Sequence, residues 1–234
     1  MYKLIILFIL VQLAILARYI VFGAFDIGNY LVTYLLLVAA AFIYFYSKHL
    51  IKKEASYEPT NIASWSFLTR QRTFTIEKPL YKGDVKRGSI QRKFLKKWQY
   101  IVADFFDASF FLALTIKVDD HIFEIIPVKE KLFSNQSYWA VYKDGQKIGA
   151  AKTVIDLKNT AKLKEVIEFK VNDEIYSTEA STITSAISLM HNNQRIGEMK
   201  RHHVFSDVNV MDIHDDSLDK MIPLILHAYH FKNN

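Results

Sequence analysis

The sequence predicts an α+β protein with three parts: a transmembrane helical hairpin, an antiparallel sheet that closes or nearly closes, and a buried C-terminal helix. Two apolar runs near the N-terminus predict the hairpin. Paired segments of alternating apolar and polar residues, each joined by a turn dipeptide, predict the sheet. A short segment that is apolar on nearly every side predicts the last helix. The chain has 234 residues and no cysteine, which suits one or two domains and excludes disulfides.

The hairpin is predicted from two apolar runs, at about 4–22 and 30–46. A membrane-spanning helix needs about 17 to 25 mostly apolar residues, and both runs qualify. The joining residues 23–29, GAFDIGN, are short and turn-forming, so residues 1–47 are predicted to form a transmembrane helical hairpin. The polar residues 48–64 that follow predict a juxtamembrane linker.

The basic residues that flank the hairpin predict its orientation. Lys3 precedes the hairpin, Lys48, Lys52 and Lys53 follow it, and the turn carries only Asp26. Because basic flanks stay in the cytoplasm, we expect a two-helix protein of the cell membrane with both termini cytoplasmic.

Two alternatives concern the first apolar run. A signal peptide over residues 1–17 would leave the second run as a stop-transfer anchor, with the remainder again in the cytoplasm. Arg18 either reaches toward the outer headgroups or makes a polar contact with a partner helix.

Residues 65–234 are predicted to form the soluble domain. Residues 65–76 begin to alternate like a first strand, 81–89 contain two glycines and predict a loop, and 91–104 have the spacing of a short amphipathic helix. Four hairpins are then predicted, in residues 112–126 about Asp119 and Asp120, 138–152 about Asp144 and Gly145, 166–176 about Asn172 and Asp173, and 186–200 about Asn192 and Asn193.

These four hairpins form two similar pairs. Residues 146–149 (QKIG) match residues 194–197 (QRIG) with their turn dipeptides aligned, and the first and third hairpins also align. The order is therefore A, B, A′, B′. Such a duplication favours a closed or nearly closed sheet, because closure removes exposed strand edges.

The chain ends in a predicted helix over residues 217–231, SLDKMIPLILHAYHF. Ser217 suits the N-cap, and from Met221 onward apolar residues cover nearly every face. At about 15 residues the helix is too short to span a membrane, so burial inside a protein shell is expected. His227 and His230, one turn apart, are predicted to be core histidines rather than metal ligands.

No motif in the sequence predicts a reaction. The chain contains no GxSxG, GxGxxG, GxxxxGK[ST] or HExxH pattern. One group of metal-ligand residue types is interpreted as an exposed acidic turn; it consists of His202, His203, Asp207, Asp212, His214, Asp215 and Asp216. We therefore predict no catalytic residue, no cofactor and no metal, and expect a protein that is not an enzyme.

Residues 78–97 carry the basic excess of the chain. They hold eight basic residues and one acidic residue, a net charge of +7, whereas the whole chain has +6. A domain tethered under an anionic leaflet gains from such residues. The candidate lipid-binding residues are Lys82, Lys86, Arg87, Arg92, Lys93, Lys96 and Lys97. The alternative is a solvated loop and helix face; nucleic acid is a poor partner for a membrane-anchored chain without a nucleic-acid-binding module.

The chain resembles the tubby C-terminal-domain-like superfamily, which includes LURP-one-related proteins and phospholipid scramblases. The segments that carry the resemblance are residues 91–98, 138–153, 157–165, 196–201 and the terminal helix. The likeness is greatest to small membrane-anchored tubby-like proteins of Bacillus-type bacteria. It implies a twelve-stranded barrel wrapped around the C-terminal helix over about residues 65–232. Tubby proteins bind phosphoinositides through basic barrel residues, which implies a similar ligand class here.

Three functions follow as hypotheses. The first is a non-enzymatic, membrane-anchored module whose barrel docks on anionic lipid headgroups or a related ligand. The second is a protein–protein module that assembles with another membrane protein through Arg18 or the barrel surface. Scramblase-like lipid movement is the third and weakest, because the hairpin offers no hydrophilic track across the bilayer.

Overall fold

The computed structural model describes residues 2–23, 25–70, 72–105, 109, 111–128, 136–154, 164–181, 186–203, 206–214 and 217–230. The helices in these residues are α1 (Tyr2–Phe22), α2 (Ile27–Ala55), α3 (Lys97–Phe105) and α4 (Leu218–His230). The strands are β1 (Trp65–Leu68), β2 (Glu77–Lys82), β3 (Val85–Lys93), β4 (Ala113–Val118), β5 (His121–Pro127), β6 (Tyr138–Lys143), β7 (Gln146–Val154), β8 (Lys164–Val171), β9 (Glu174–Ser181), β10 (Ile187–His191), β11 (Gln194–Arg201) and β12 (Val208–Ile213).

Helices α1 and α2 form the hairpin. Asp26 caps α2, since its carboxylate accepts a hydrogen bond from the Asn29 amide at 3.1 Å. Inside the hairpin, Gln12 Nε2 donates to Thr33 Oγ1 at 2.5 Å, so these two polar groups satisfy each other. Both helices are long and apolar enough to cross a membrane.

Helix α2 is longer than the sequence pattern predicts. It continues from the apolar run through residues 47–55 and ends at Ala55, so half of the expected linker is helical. Residues 47–55 contain good helix formers and no glycine or proline, and Lys52 and Lys53 in the last turn complement the helix dipole. A rigid helix therefore leads from the apolar run into the barrel.

The strands form a closed antiparallel barrel in which neighbours in sequence are neighbours in space. Strand β1 lies between β2 and β12, which joins the two ends of the domain and closes the sheet. Positive φ angles at Asp119, Asp144, Asn172 and Asn192 confirm the four predicted hairpin turns. The predicted closed sheet is confirmed.

A further hairpin, β2–β3, occupies the segment predicted to be a loop, and that prediction is wrong. Its turn contains Gly83, and a β-bulge follows Leu80, just as bulges follow Val141 and Leu189 in β6–β7 and β10–β11. In each bulged hairpin the residue before the bulge pairs with a glycine on the second strand. At Gly88 a larger residue would not fit, because a Cβ there would lie 2.0 Å from the Lys117 carbonyl oxygen. The bulged hairpin therefore occurs three times around the barrel.

Two boundaries also differ from prediction. Strand β1 ends at Leu68 rather than near residue 76, and α3 begins at Lys97 rather than at 91. The residues before α3 belong to β3, where Gln91 and Lys93 pair with β4. Hydrogen bonding to a neighbouring strand overrides the local helical spacing there.

Helix α4 fills the barrel. Residues 221–229 are all buried, and aromatic residues from the strands, such as Phe67, Phe123 and Phe169, pack in the same core. Helix α4 enters with Asp219 paired to Lys143 at 3.0 Å. The predicted burial of the C-terminal helix is confirmed.

Candidate functional site

The two ends of the barrel have different neighbours. The turns at Gly83, Asp144 and Asn192 lie at one end, which we call the hairpin end. The other end carries α3 and the C-terminus of α4. We call it the anchor end, because Glu54 in the last turn of α2 is buried there.

The candidate lipid-binding residues are divided between these ends. Lys82, Lys86 and Arg87 lie beside the β2–β3 turn at the hairpin end. Lys93 ends β3 at the anchor end, followed by Lys96 and Lys97 at the start of α3. At about 3.3 Å per residue, Arg87 and Lys93 are about 20 Å apart along β3. The seven residues therefore do not form one site.

Arg92 does not belong to the surface set. Its side chain is 1% exposed and donates from Nη1 to the Arg72 carbonyl oxygen at 3.1 Å. Burial lowers the pKa of Arg92 to about 10. The guanidinium also lies over the Phe94 ring, 4.5 Å from its centroid. Because its side chain is buried, Arg92 stabilises the anchor end and is not available to bind lipid.

The remaining surface lysines at the anchor end are exposed. Lys96 and Lys97 lie open to solvent, and Lys93 pairs with Glu124 at 3.4 Å while staying about half exposed. At the hairpin end, Arg87 is tied to Asp119 at 2.9 Å. Lys48, Lys52 and Lys53 on α2 are also exposed and add positive charge near the anchor end.

Helix α3 contacts the first residue of α1. The Tyr2 amide donates to Asp104 Oδ2 at 3.3 Å, and the rings of Tyr2 and Tyr100 meet edge to face with centroids 5.8 Å apart. Helix α3 thus lies beside the end of the hairpin that carries Lys3. The sequence pattern gave no signal for this contact, because Tyr2 and α3 are about a hundred residues apart.

A buried ion pair joins α2 to the barrel. Lys78 Nζ lies 2.7 Å from Glu54 Oε1, and both side chains are 1% exposed. Burial lowers the pKa of Lys78, and the Glu54 carboxylate opposes that shift. The same ammonium lies over the Tyr229 ring of α4, 5.3 Å from its centroid. This contact links the hairpin, the sheet and the central helix at one point.

The two histidines of α4 lie at the anchor end. His227 is fully buried, with Nδ1 2.7 Å from Thr178 Oγ1, and His230 Nδ1 lies 2.5 Å from Glu165 Oε1. Burial by itself would raise the pKa of Glu165, but the hydrogen bond from His230 and nearby positive charge lower it overall. The predicted core location of His227 is confirmed.

His227 should make the fold sensitive to acid. Burial lowers its pKa to about 3, whereas an unfolded histidine titrates near 6.5. Between these values the unfolded chain binds a proton that the folded chain excludes, so stability falls as pH decreases from about 6.5 toward 3. This residue should contribute a slope of about 1.4 kcal/mol per pH unit.

Chemical unfolding at several pH values measures that slope. In His227→Gln the slope should fall by about 1.4 kcal/mol per pH unit, because the titrating ring is gone. His203→Gln, at an exposed position, is the matched control. An unchanged slope in His227→Gln would show that other groups govern the acid response.

Only part of the predicted acidic turn lies within the described residues. His202 and His203 lie side by side after β11, with ring centroids 4.0 Å apart, and Asp215 and Asp216 lie outside the described residues. Within the part of the chain that the structure describes, no three His, Asp or Glu side chains converge as a metal site.

Comparison with known proteins agrees with this architecture. A family model for the Tubby C-terminal like domain matches residues 60–232, which include every strand of the barrel and helix α4. No curated protein and no solved structure matches the chain significantly. Because the family model covers well over half of the chain, the chain belongs to the Tubby C-terminal like domain family.

Proposed function

We propose that this protein is a non-enzymatic, membrane-anchored lipid-binding module whose anchor end faces the cytoplasmic leaflet. Lys93, Lys96 and Lys97 then contact anionic headgroups. Domains of this family bind phosphoinositide lipids, which supports a lipid as the ligand. The anchor-end lysines supply the opposite charge.

The observation that carries the proposal is the continuity of α2. Its 29 residues give a length of about 44 Å, against a hydrocarbon core of about 30 Å. About 14 Å of α2 therefore extends beyond the hydrocarbon core, and this part of the helix ends at the buried Glu54–Lys78 pair. The length of α2 thus sets the distance between the barrel and the bilayer. The anchor end then lies within or just below the headgroup layer.

The basic residues at the hairpin end are excluded from headgroup contact by their distance from the bilayer. In a barrel whose strands tilt by about 40°, the distance of about 20 Å along β3 is about 15 Å along the axis. With the anchor end toward the bilayer, Lys82, Lys86 and Arg87 therefore lie farther from it than Lys93 by more than the Debye length of about 8 Å at physiological salt. Their attraction to the leaflet is screened. Arg87 is also paired with Asp119. The proposal therefore assigns headgroup contact to the anchor-end lysines alone.

Flotation of a fragment containing residues 48–234 with liposomes tests the assignment. The fragment keeps Glu54, every strand and α4, and its fold is checked by circular dichroism. Binding to phosphatidylglycerol-containing liposomes should weaken about 100-fold when Lys93, Lys96 and Lys97 become Gln, at roughly 1 kcal/mol per lost charge. High salt should weaken binding of the unmodified fragment in the same direction.

The matched control replaces Lys82, Lys86 and Arg87 by Gln. It removes the same charge from the hairpin end, and partitioning should change by no more than about twofold, because Asp84, Asp119 and Asp144 in the turns offset the basic charge there and the fragment binds through its more basic end. Equal losses in both variants would show that only net charge matters. Equal binding to phosphatidylcholine and phosphatidylglycerol would contradict headgroup recognition, and no binding to either liposome would favour a protein partner.

A further inference from the structure

The exposed face of α3 is apolar. Leu95, just before the helix, is 57% exposed, and Trp98 and Ile101 on the helix are 50% and 41% exposed. The side that faces the barrel holds Gln99 and Ala103, both buried. A surface helix of a water-soluble domain has the opposite arrangement, with its large apolar side chains turned inward.

The charges around this face are basic. Lys96 and Lys97 border Trp98 in sequence, and Lys93 precedes Leu95. Lysine beside tryptophan and branched apolar residues is the composition of a helix that lies in a membrane interface, where the ammonium groups meet headgroups and the apolar side chains enter the acyl boundary. Trp98 is also held in place, edge to face against Phe111 at 5.2 Å.

Contacts with α1 place α3 at the depth of the lipid headgroups if α1 spans the membrane. Tyr2, the first residue of α1, meets Tyr100 and Asp104 of α3. If α1 spans the membrane, its first residue lies at the headgroup level, and α3 lies beside it at the same level. With α1 in contact with Tyr100 and Asp104, Trp98 and Ile101 are still 50% and 41% exposed, so contact with α1 leaves the apolar face uncovered.

We propose that α3 is an interfacial helix that inserts Leu95, Trp98 and Ile101 into the boundary between headgroups and acyl chains. This inference rests on the proposed membrane anchoring, but it names an apolar contact that does not depend on headgroup charge. The protein is then attached to the bilayer by two spanning helices, α1 and α2, and by α3, which lies in the plane of the membrane. The third contact fixes the rotation of the barrel about α2.

Trp98 provides the measurement. The chain has three tryptophans, and the other two, Trp65 and Trp139, are only 4% and 2% exposed. The full chain is reconstituted in phosphatidylcholine nanodiscs with or without brominated acyl chains, and the spectrum of Trp98→Phe is subtracted. Bromine near the carboxyl end of the chains should quench roughly half or more of the Trp98 emission, as expected for a ring at the interface. Aqueous iodide should quench it little.

A matched reporter at the hairpin end controls for general quenching. Ile175→Trp in the Trp98→Phe background places a tryptophan on an equally exposed apolar position near the β8–β9 turn. That tryptophan should respond to iodide and not to brominated lipid. If Trp98 behaves in the same way, the interfacial position is overturned. Protection of Trp98 from both quenchers would also overturn it and would indicate cover by protein.

The lysine variants separate this proposal from headgroup binding. In the full chain, Gln at Lys93, Lys96 and Lys97 should leave the quenching of Trp98 by brominated phosphatidylcholine unchanged, because an apolar contact needs no anionic lipid. Loss of lipid quenching in that variant would overturn the inserted apolar face and leave a purely electrostatic contact. A chain that does not enter nanodiscs at all contradicts the anchoring itself.

Discussion

Truncation at Asp216 should leave a chain that no longer folds into a barrel. Helix α4 supplies nine successive buried residues, 221–229, to the centre of the sheet, and without it the interior side chains face water. The smaller change Leu224→Ala should lower the free energy of unfolding by about 2 to 5 kcal/mol, since it opens a cavity at a fully buried position. Chemical unfolding of the solubilised chain, followed by fluorescence, measures the loss.

Ile175→Ala is the control for that experiment. It removes a similar side chain from a position on β9 that is mostly exposed, and we expect a change within about 0.5 kcal/mol. A truncated chain that stays soluble, with the near-ultraviolet circular dichroism of the full protein, would contradict the role of α4 as the core of the barrel.

Loss of the buried carboxylate at Glu54 should be comparably severe. Glu54→Ala removes an anionic partner from the Lys78 ammonium, which is 1% exposed and lies near the positive charges of Arg72 and Arg92. Removing one partner of a buried pair typically costs about 3 to 5 kcal/mol, because the other charge stays in a low dielectric. The midpoint of thermal unfolding and the protease resistance of the α2–barrel junction should both fall.

Two further variants define the origin of that cost. Glu54→Leu combined with Lys78→Met replaces the pair by apolar side chains, and most of the stability should return. Glu168→Ala breaks the partly exposed pair between Lys152 and Glu168, which are 2.8 Å apart, and should cost no more than about 1 kcal/mol. If Glu54→Ala costs no more than this surface control, α2 does not hold the barrel through Glu54.

The hairpin turns illustrate what local sequence predicts well. Asp144, Asn172 and Asn192 adopt positive φ in tight turns, a conformation that aspartate and asparagine tolerate better than other non-glycine residues. Alternation on either side then sets which face is buried. The turn at Gly83 was missed because the charged residues of β3, including Lys86 and Arg87, hide the alternation that its partner hairpins show.

The candidate site was predicted less well, and for a specific reason. Residues 78–97 are consecutive in sequence and read as one basic segment, but β3 is extended and carries its charges from one end of the barrel to the other. Lys78 and Arg92 then point inward, toward partners supplied by Glu54 and Arg72. Burial of a cation depends on partners that the chain brings from elsewhere, which no local period reveals.

The residue pattern along the chain is enough to define the apolar helices, the turns, the closure of the sheet and the burial of the last helix. The helices and turns depend on patterns within a few neighbouring residues, and the closure follows from the repetition of the hairpins along the chain. Three features come from tertiary contacts instead: which lysines share a surface, the contact of α2 with the barrel through Glu54, and the position of α3 beside Tyr2 with Trp98 exposed. These features depend on contacts between segments far apart in the chain, which form only when the barrel closes around α4.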